Sequence, residues 1–91
     1  MNDNLALALG HVRNAGWQLL GNDQPDGLTL GMDCLDFEAV LNPDDLDPAI
    51  VPFEATPAAS LAAARRLLEQ VPDQVPPAAW AGLAGLTAKL G

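Results

Sequence analysis

Apolar residues recur at two different spacings along this chain. Near the N-terminus Leu5, Ala8, Leu9, Val12 and Ala15 follow three- and four-residue steps, which place them on one face of a helix. The pattern predicts a first helix over residues 3–15, capped by Asn2 or Asp3 and stopped at Gly16. Gly10 inside that helix costs about 1 kcal/mol relative to Ala, so its presence points to a close packing contact.

From Trp17 the spacing changes. Leu28, Leu30, Met32 and Cys34 alternate with Thr29, Gly31 and Asp33, the period of a strand with one wet face. Trp17–Gly21 and Leu28–Asp33 are therefore predicted strands, joined through Asn22–Gly27, where Pro25, Asp26 and Gly27 supply turn chemistry. At Cys34 and Leu35 the alternation slips by one. Leu35–Leu41 then continues the strand past a β-bulge, returns as a third strand, or forms a short helix; a strand to about Ala39 fits the spacing best. Asn42–Pro48, with two prolines and three aspartates, is a loop. Ile50–Glu54 is apolar and β-branched, but Pro52 within it limits it to an edge strand or an extended lid segment.

Helical spacing returns at Thr56. Thr56 at the N-cap and Pro57 at the first helical position open a second helix, with Leu61, Ala64, Leu68 and Val71 on one face and Pro72 as its stop. Pro76 and Pro77 open a third helix reaching Leu90, with Ala79, Leu83, Leu86 and Leu90 as its core stripe. Ala78, Ala81, Gly82, Ala84, Gly85 and Ala88 cover much of its remaining surface with small side chains. The expected architecture is a single α+β domain over residues 1–91: an N-terminal helix, a two- or three-stranded antiparallel sheet, and a C-terminal helical hairpin packed on the sheet.

Charge sharpens the functional reading. The 91 residues carry 12 Asp and Glu against 4 Lys and Arg, a formal net charge of −8. Nine of the twelve acids, Asp23, Asp26, Asp33, Asp36, Glu38, Asp44, Asp45, Asp47 and Glu54, lie between Gly16 and Glu54, and no base falls between Arg13 and Arg65. Such a balance argues against direct contact with nucleic acid or an anionic membrane and favours a basic protein partner or a cation. No segment has the length of a membrane span, and no basic n-region precedes the short apolar run Leu5–Leu9, so the expected location is the cytoplasm.

Candidate chemistry is sparse. The chain has one Cys (Cys34), one His (His11) and one Ser (Ser60), and carboxylates flanking Cys34 raise rather than lower a thiol pKa. A catalytic pair is not expected, and one His with one Cys leaves no usual zinc ligand set. Asn22, Gln24, Asp26, Gly27 and Asp33 fall at calcium-loop positions, but Gln24, Pro25 and the closing Asp depart from the pattern, so the stretch reads as a turn; no metal and no cofactor are expected. The segment Leu30-Gly31-Met32-Asp33-Cys34-Leu35-Asp36 resembles the Leu-Gly-x-Asp-Ser-Leu signature of acyl and peptidyl carrier proteins. That resemblance implies a helical bundle with a long helix following the motif and a phosphopantetheine arm at the serine position, which Cys34 occupies here.

The leading functional expectation is a non-enzymatic acidic binding protein, an adaptor or inhibitor, that engages a basic surface of another protein and, where that surface normally binds nucleic acid, acts as a nucleic-acid mimic. Asp36, Glu38, Asp44, Asp45, Asp47 and Glu54 are the expected partner-binding residues, with Trp17, Phe37 and Phe53 as candidate apolar anchors. The small-residue face of the last helix offers a surface for a homodimer. The alternative is a degenerate carrier with cargo at Cys34 on a four-helix carrier-like bundle, and an enzyme working through its carboxylates ranks last.

Overall fold

The computed structural model describes residues 3–21 and 26–90. Among them are four α-helices, α1 (Asn4–Leu20), α2 (Gly27–Leu41), α3 (Pro57–Leu68) and α4 (Pro77–Leu90), with one 3₁₀ turn at Pro72–Gln74. No strand occurs among the described residues. The expected α+β class is therefore corrected to all-α. Trp17–Leu20 extends α1 beyond Gly16, and Leu28–Ala39 lies wholly within α2. The turn expected at Asn22–Gly27 falls largely outside the described residues.

The reason for the difference is visible in α2. Its buried positions are Gly27, Gly31, Cys34, Phe37, Glu38 and Leu41, a helical sequence of steps. A strand would have buried Leu28, Leu30, Met32 and Cys34 together. Instead Leu28 is 69% exposed and Met32 51% exposed, while the glycine between them faces the neighbouring helix. A Cβ at Gly31 would stand 2.7 Å from Leu20 Cγ and 3.3 Å from the Gly16 carbonyl oxygen. The two helices thus cross at Gly16 and Gly31, where the absence of side chains brings the backbones together. The slip at Cys34 and Leu35 is the helical step from Cys34 to Phe37, not a bulge.

The helices form a closed ring. α1 packs on α2 and α3, and α4 completes the circuit by packing on the same two partners. Arg13 opposite Glu38 and Gly16 opposite Gly31 make α1 and α2 antiparallel. Gln18 against Ser60 and Asn4 against Gln70 set α3 antiparallel to α1. Lys89 against Asp33 and Gly82 against Phe37 do the same for α4 and α2. Leu9, Val12, Leu41, Leu61, Leu68 and Leu83 fill the centre, each 2% exposed or less. The helical stripes expected on α1 and α3 are buried, and on α4 Ala79, Leu83 and Leu86 are buried with Leu90 half-buried. Thr56 caps α3 as expected, its Oγ1 accepting from the Ala59 N–H at 3.1 Å. The α3–α4 hairpin forms, but it packs on helices, not on a sheet.

Residues 49–54 neither pair as an edge strand nor leave the surface. They run as an extended strap along α1 in the direction of that helix. The Ala49 N–H donates to the Ala6 carbonyl at 3.0 Å, Asn14 Nδ2 to the Val51 carbonyl at 3.0 Å, and Gln18 Nε2 to the Glu54 carbonyl at 2.7 Å. Ala6, Gly10, Asn14 and Gln18 recur every four residues, so they form one row on the helix. Gly10 is the point of closest approach: a Cβ there would overlap the Ala49 carbonyl oxygen. The close contact expected at Gly10 is thus present, with a loop as its partner.

Candidate partner-binding surface

The strap fixes where the acidic loop lies. With Ala49 tied to Ala6, Asn42–Pro48 must turn back from the C-terminus of α2 within a few residues. Asn42 organises that turn. Its Oδ1 accepts from the Leu46 N–H at 2.8 Å, its Nδ2 donates to the Leu46 carbonyl at 2.8 Å, and its own carbonyl accepts from the Asp45 N–H at 3.2 Å. Asp45 adopts φ 54°, a left-handed conformation that Asp and Asn tolerate better than most residues. Asp44, Asp45 and Asp47 are all exposed on this turn.

These three carboxylates stand just beyond the last turn of α2, the end that carries the negative pole of a helix. Beneath them is a polar cleft of about 380 Å³ whose walls include Arg13, Glu38, Asn42, Asp45 and Asp47. Among the described residues Arg13 is its one base, set against three acids, and is already committed: its Nη2 donates to Glu38 Oε1 at 2.8 Å. Glu38 is buried, so Arg13 neutralises a carboxylate that would otherwise be costly to hold there.

The six expected partner-binding residues therefore separate into groups. Asp44, Asp45 and Asp47 share the turn. Glu38 lies under them, bound by Arg13. Asp36 is exposed on the flank of α2 that faces α4, where it lines a different cavity with Val40. Glu54 is at the far end of the strap beside Gln18, roughly 18 Å from the Ala49 end by the helical rise between Ala6 and Gln18. Of the candidate anchors, Phe37 is buried, whereas Trp17 and Phe53 are 59% and 61% exposed. Ile50 on the strap is fully exposed as well.

Cys34 is fully buried at the middle of α2. Burial, reinforced by the Asp33 carboxylate, pushes its thiol up to about 11. The carrier-like segment Leu30–Asp36 therefore lies inside a helix rather than ahead of one, and cargo on Cys34 would require α2 to separate from its neighbours. Ser60, also fully buried, donates through Oγ to Gln18 Oε1 at 2.8 Å. Gln18 thus joins α1 to both the strap and α3. His11 Nδ1 is buried without a hydrogen-bond partner among the described residues. Among the described residues no group of three or more His, Cys, Asp or Glu is placed to hold a metal ion. Nor is any described helix long and apolar enough to cross a membrane.

Comparison with protein-family models, with curated proteins and with solved structures returns no match.

Proposed function

We propose that the protein is a non-enzymatic acidic binding module, an adaptor or inhibitor, that engages a basic surface of a partner protein through the end of the molecule bearing Asp44, Asp45 and Asp47. A single observation carries this reading. Three exposed aspartates, with no ion-pair partner among the described residues, stand just past the negative end of α2. Carboxylates there oppose the helix dipole and one another, each at about 0.3–1 kcal/mol, so helix-end electrostatics does not account for their placement. A cationic surface relieves both repulsions at once, which makes the site complementary to Lys- and Arg-rich partners. A partner whose basic surface ordinarily holds nucleic acid would make this chain a nucleic-acid mimic. Glu38 is neutralised within the fold, Glu54 is remote and Asp36 lines the separate cavity between α2 and α4, so the proposed surface rests on the loop aspartates.

The test is affinity capture from the native source, with the wild-type chain and an Asp44→Asn/Asp45→Asn/Asp47→Asn variant as parallel baits and mass spectrometry as the readout. A basic protein retained by the wild type and lost by the variant supports the reading. Equal retention of every captured protein by both baits contradicts it.

A further inference from the structure

The strongest unassigned feature is the groove between α2 and α4. It is an open cavity of about 360 Å³. Phe37 and Val40 wall it on the α2 side, and Ala78, Gly82, Gly85 and Leu86 on the α4 side. It exists because α4 presents small residues where a neighbour would ordinarily be met by larger ones. A Cβ at Gly82 would touch Phe37 at 3.0 Å, which sets the floor, whereas a Cβ at Gly85 would meet nothing within 4 Å. Among the described residues, the space immediately above Gly85 is therefore open.

The groove has a charged rim on its α2 side. Lys89 reaches across one end to Asp33, Nζ to Oδ2 at 3.1 Å, and closes it. Asp36, one turn further along α2, has no ion-pair partner among the described residues. An apolar trough beside an unpaired carboxylate selects an occupant that is apolar on one face and cationic beside it. A neutral or anionic occupant would leave Asp36 desolvated or repelled.

We propose that this groove is a docking site for a cationic amphipathic helix of a partner protein. An apolar side chain of that helix would seat over Gly85, and a Lys or Arg one turn away would pair with Asp36. A helix is favoured over an extended segment because both walls are helices with their backbone groups already bonded, leaving no edge for a strand to join. A second copy of this chain is disfavoured, because it would bring a second net charge of −8 against the first. The proposal rests on the reading of the chain as a binder of basic partners and adds an apolar anchor to it.

The test uses a labelled helical peptide of Leu and Lys, with Leu at every third and fourth position, and a matched peptide with Glu for Lys. A Cβ at residue 85 meets nothing within 4 Å and Leu is a better helix former than Gly, so Gly85→Leu adds bulk at the groove, and its urea midpoint is measured first to establish that the variant is folded. The expected result is that the Lys peptide shifts the amide resonances of Phe37, Gly82 and Gly85, that Gly85→Leu weakens its binding about tenfold, that Asp36→Asn weakens it about threefold, and that the Glu peptide does not bind. Unchanged affinity on Gly85→Leu, or absence of Lys-peptide binding, overturns the proposal. If the shifts confine themselves to residues 42–48, the groove assignment fails while the acidic-loop reading stands. If sedimentation shows a dimer that Gly85→Leu dissociates, the occupant is a second copy and the proposal is likewise overturned.

Discussion

Gly10 of α1 lies so close beneath Ala49 that a methyl group on residue 10 would overlap the Ala49 carbonyl oxygen. This contact holds the strap against the helix and determines where the acidic loop can turn. It sets helix propensity against packing. Gly10→Ala gains about 1 kcal/mol of intrinsic helix stability, but the overlap is with backbone, which cannot rotate away. Overpacking of this kind costs about 1–3 kcal/mol. The expected net outcome of Gly10→Ala is a lower urea midpoint, with increased amide exchange at Ala49 as the sign that the strap has lifted.

Gln18 is the second fastener. Its side-chain amide donates to the Glu54 carbonyl and accepts from the buried Ser60 hydroxyl. Gln18→Ala leaves Ser60 Oγ without its partner, a loss of about 1–3 kcal/mol for a buried polar group. Ser60→Ala, which removes hydroxyl and hydrogen bond together, is expected to cost less. In a double-mutant cycle the two changes should be non-additive, and additive costs would show that the bond contributes nothing.

The relation of sequence to fold turns on glycines and amides. The stripes of α1, α3 and α4 were legible because leucines and alanines mark their buried faces. The α1–α2 crossing was not, because it is made by Gly16 and Gly31, which carry no hydrophobic signal. Gly16 reads as a helix stop, and Gly31 reads as a polar-phase residue of a strand. Exposed Leu28 and Met32 then completed a false alternation. On the functional side, Asp44, Asp45 and Asp47 were legible as an acidic loop, because prolines and aspartates mark turns. That Arg13 covers Glu38 was not, because 25 residues separate the partners. The row Ala6, Gly10, Asn14, Gln18 was present in the sequence as a small and polar stripe opposite the leucine face. Its spacing could have revealed a helix running through Gly16 and a segment lying across it.

Cys34 supplies a pH-dependent prediction. In the folded chain its thiol is raised to about 11, above the ordinary value of 9.0. Its contribution to stability is therefore complete below the unfolded value and is lost as pH rises from about 9 to about 11, where the unfolded thiol ionises first. The expected loss over that interval is on the order of 2 kcal/mol, read by urea denaturation against Cys34→Ala as the reference. At neutral pH the native thiol should react with a disulfide reagent only through opening of the fold, so labelling should accelerate steeply with urea. Rapid stoichiometric labelling without denaturant would contradict the buried placement.

The loop aspartates should trade stability for binding. Asp44→Asn/Asp45→Asn/Asp47→Asn removes three charges from the negative end of α2 while keeping a residue that tolerates φ 54° at position 45. The variant is expected to gain about 1 kcal/mol in total, a rise in melting temperature of several degrees for a domain of this size. A lower melting temperature would show that these carboxylates stabilise the turn.

The central claim is that the loop end of the molecule recognises a basic surface, and the salt dependence of partner binding tests it most directly. The captured partner would be titrated by calorimetry at about 20 mM and about 150 mM monovalent salt, against the wild type and the triple Asn variant. The expected result is an affinity at least about tenfold weaker at the higher salt for the wild type, with most of that dependence gone in the variant. An affinity unchanged between the two salt concentrations, and unaffected by loss of Asp44, Asp45 and Asp47, would contradict it.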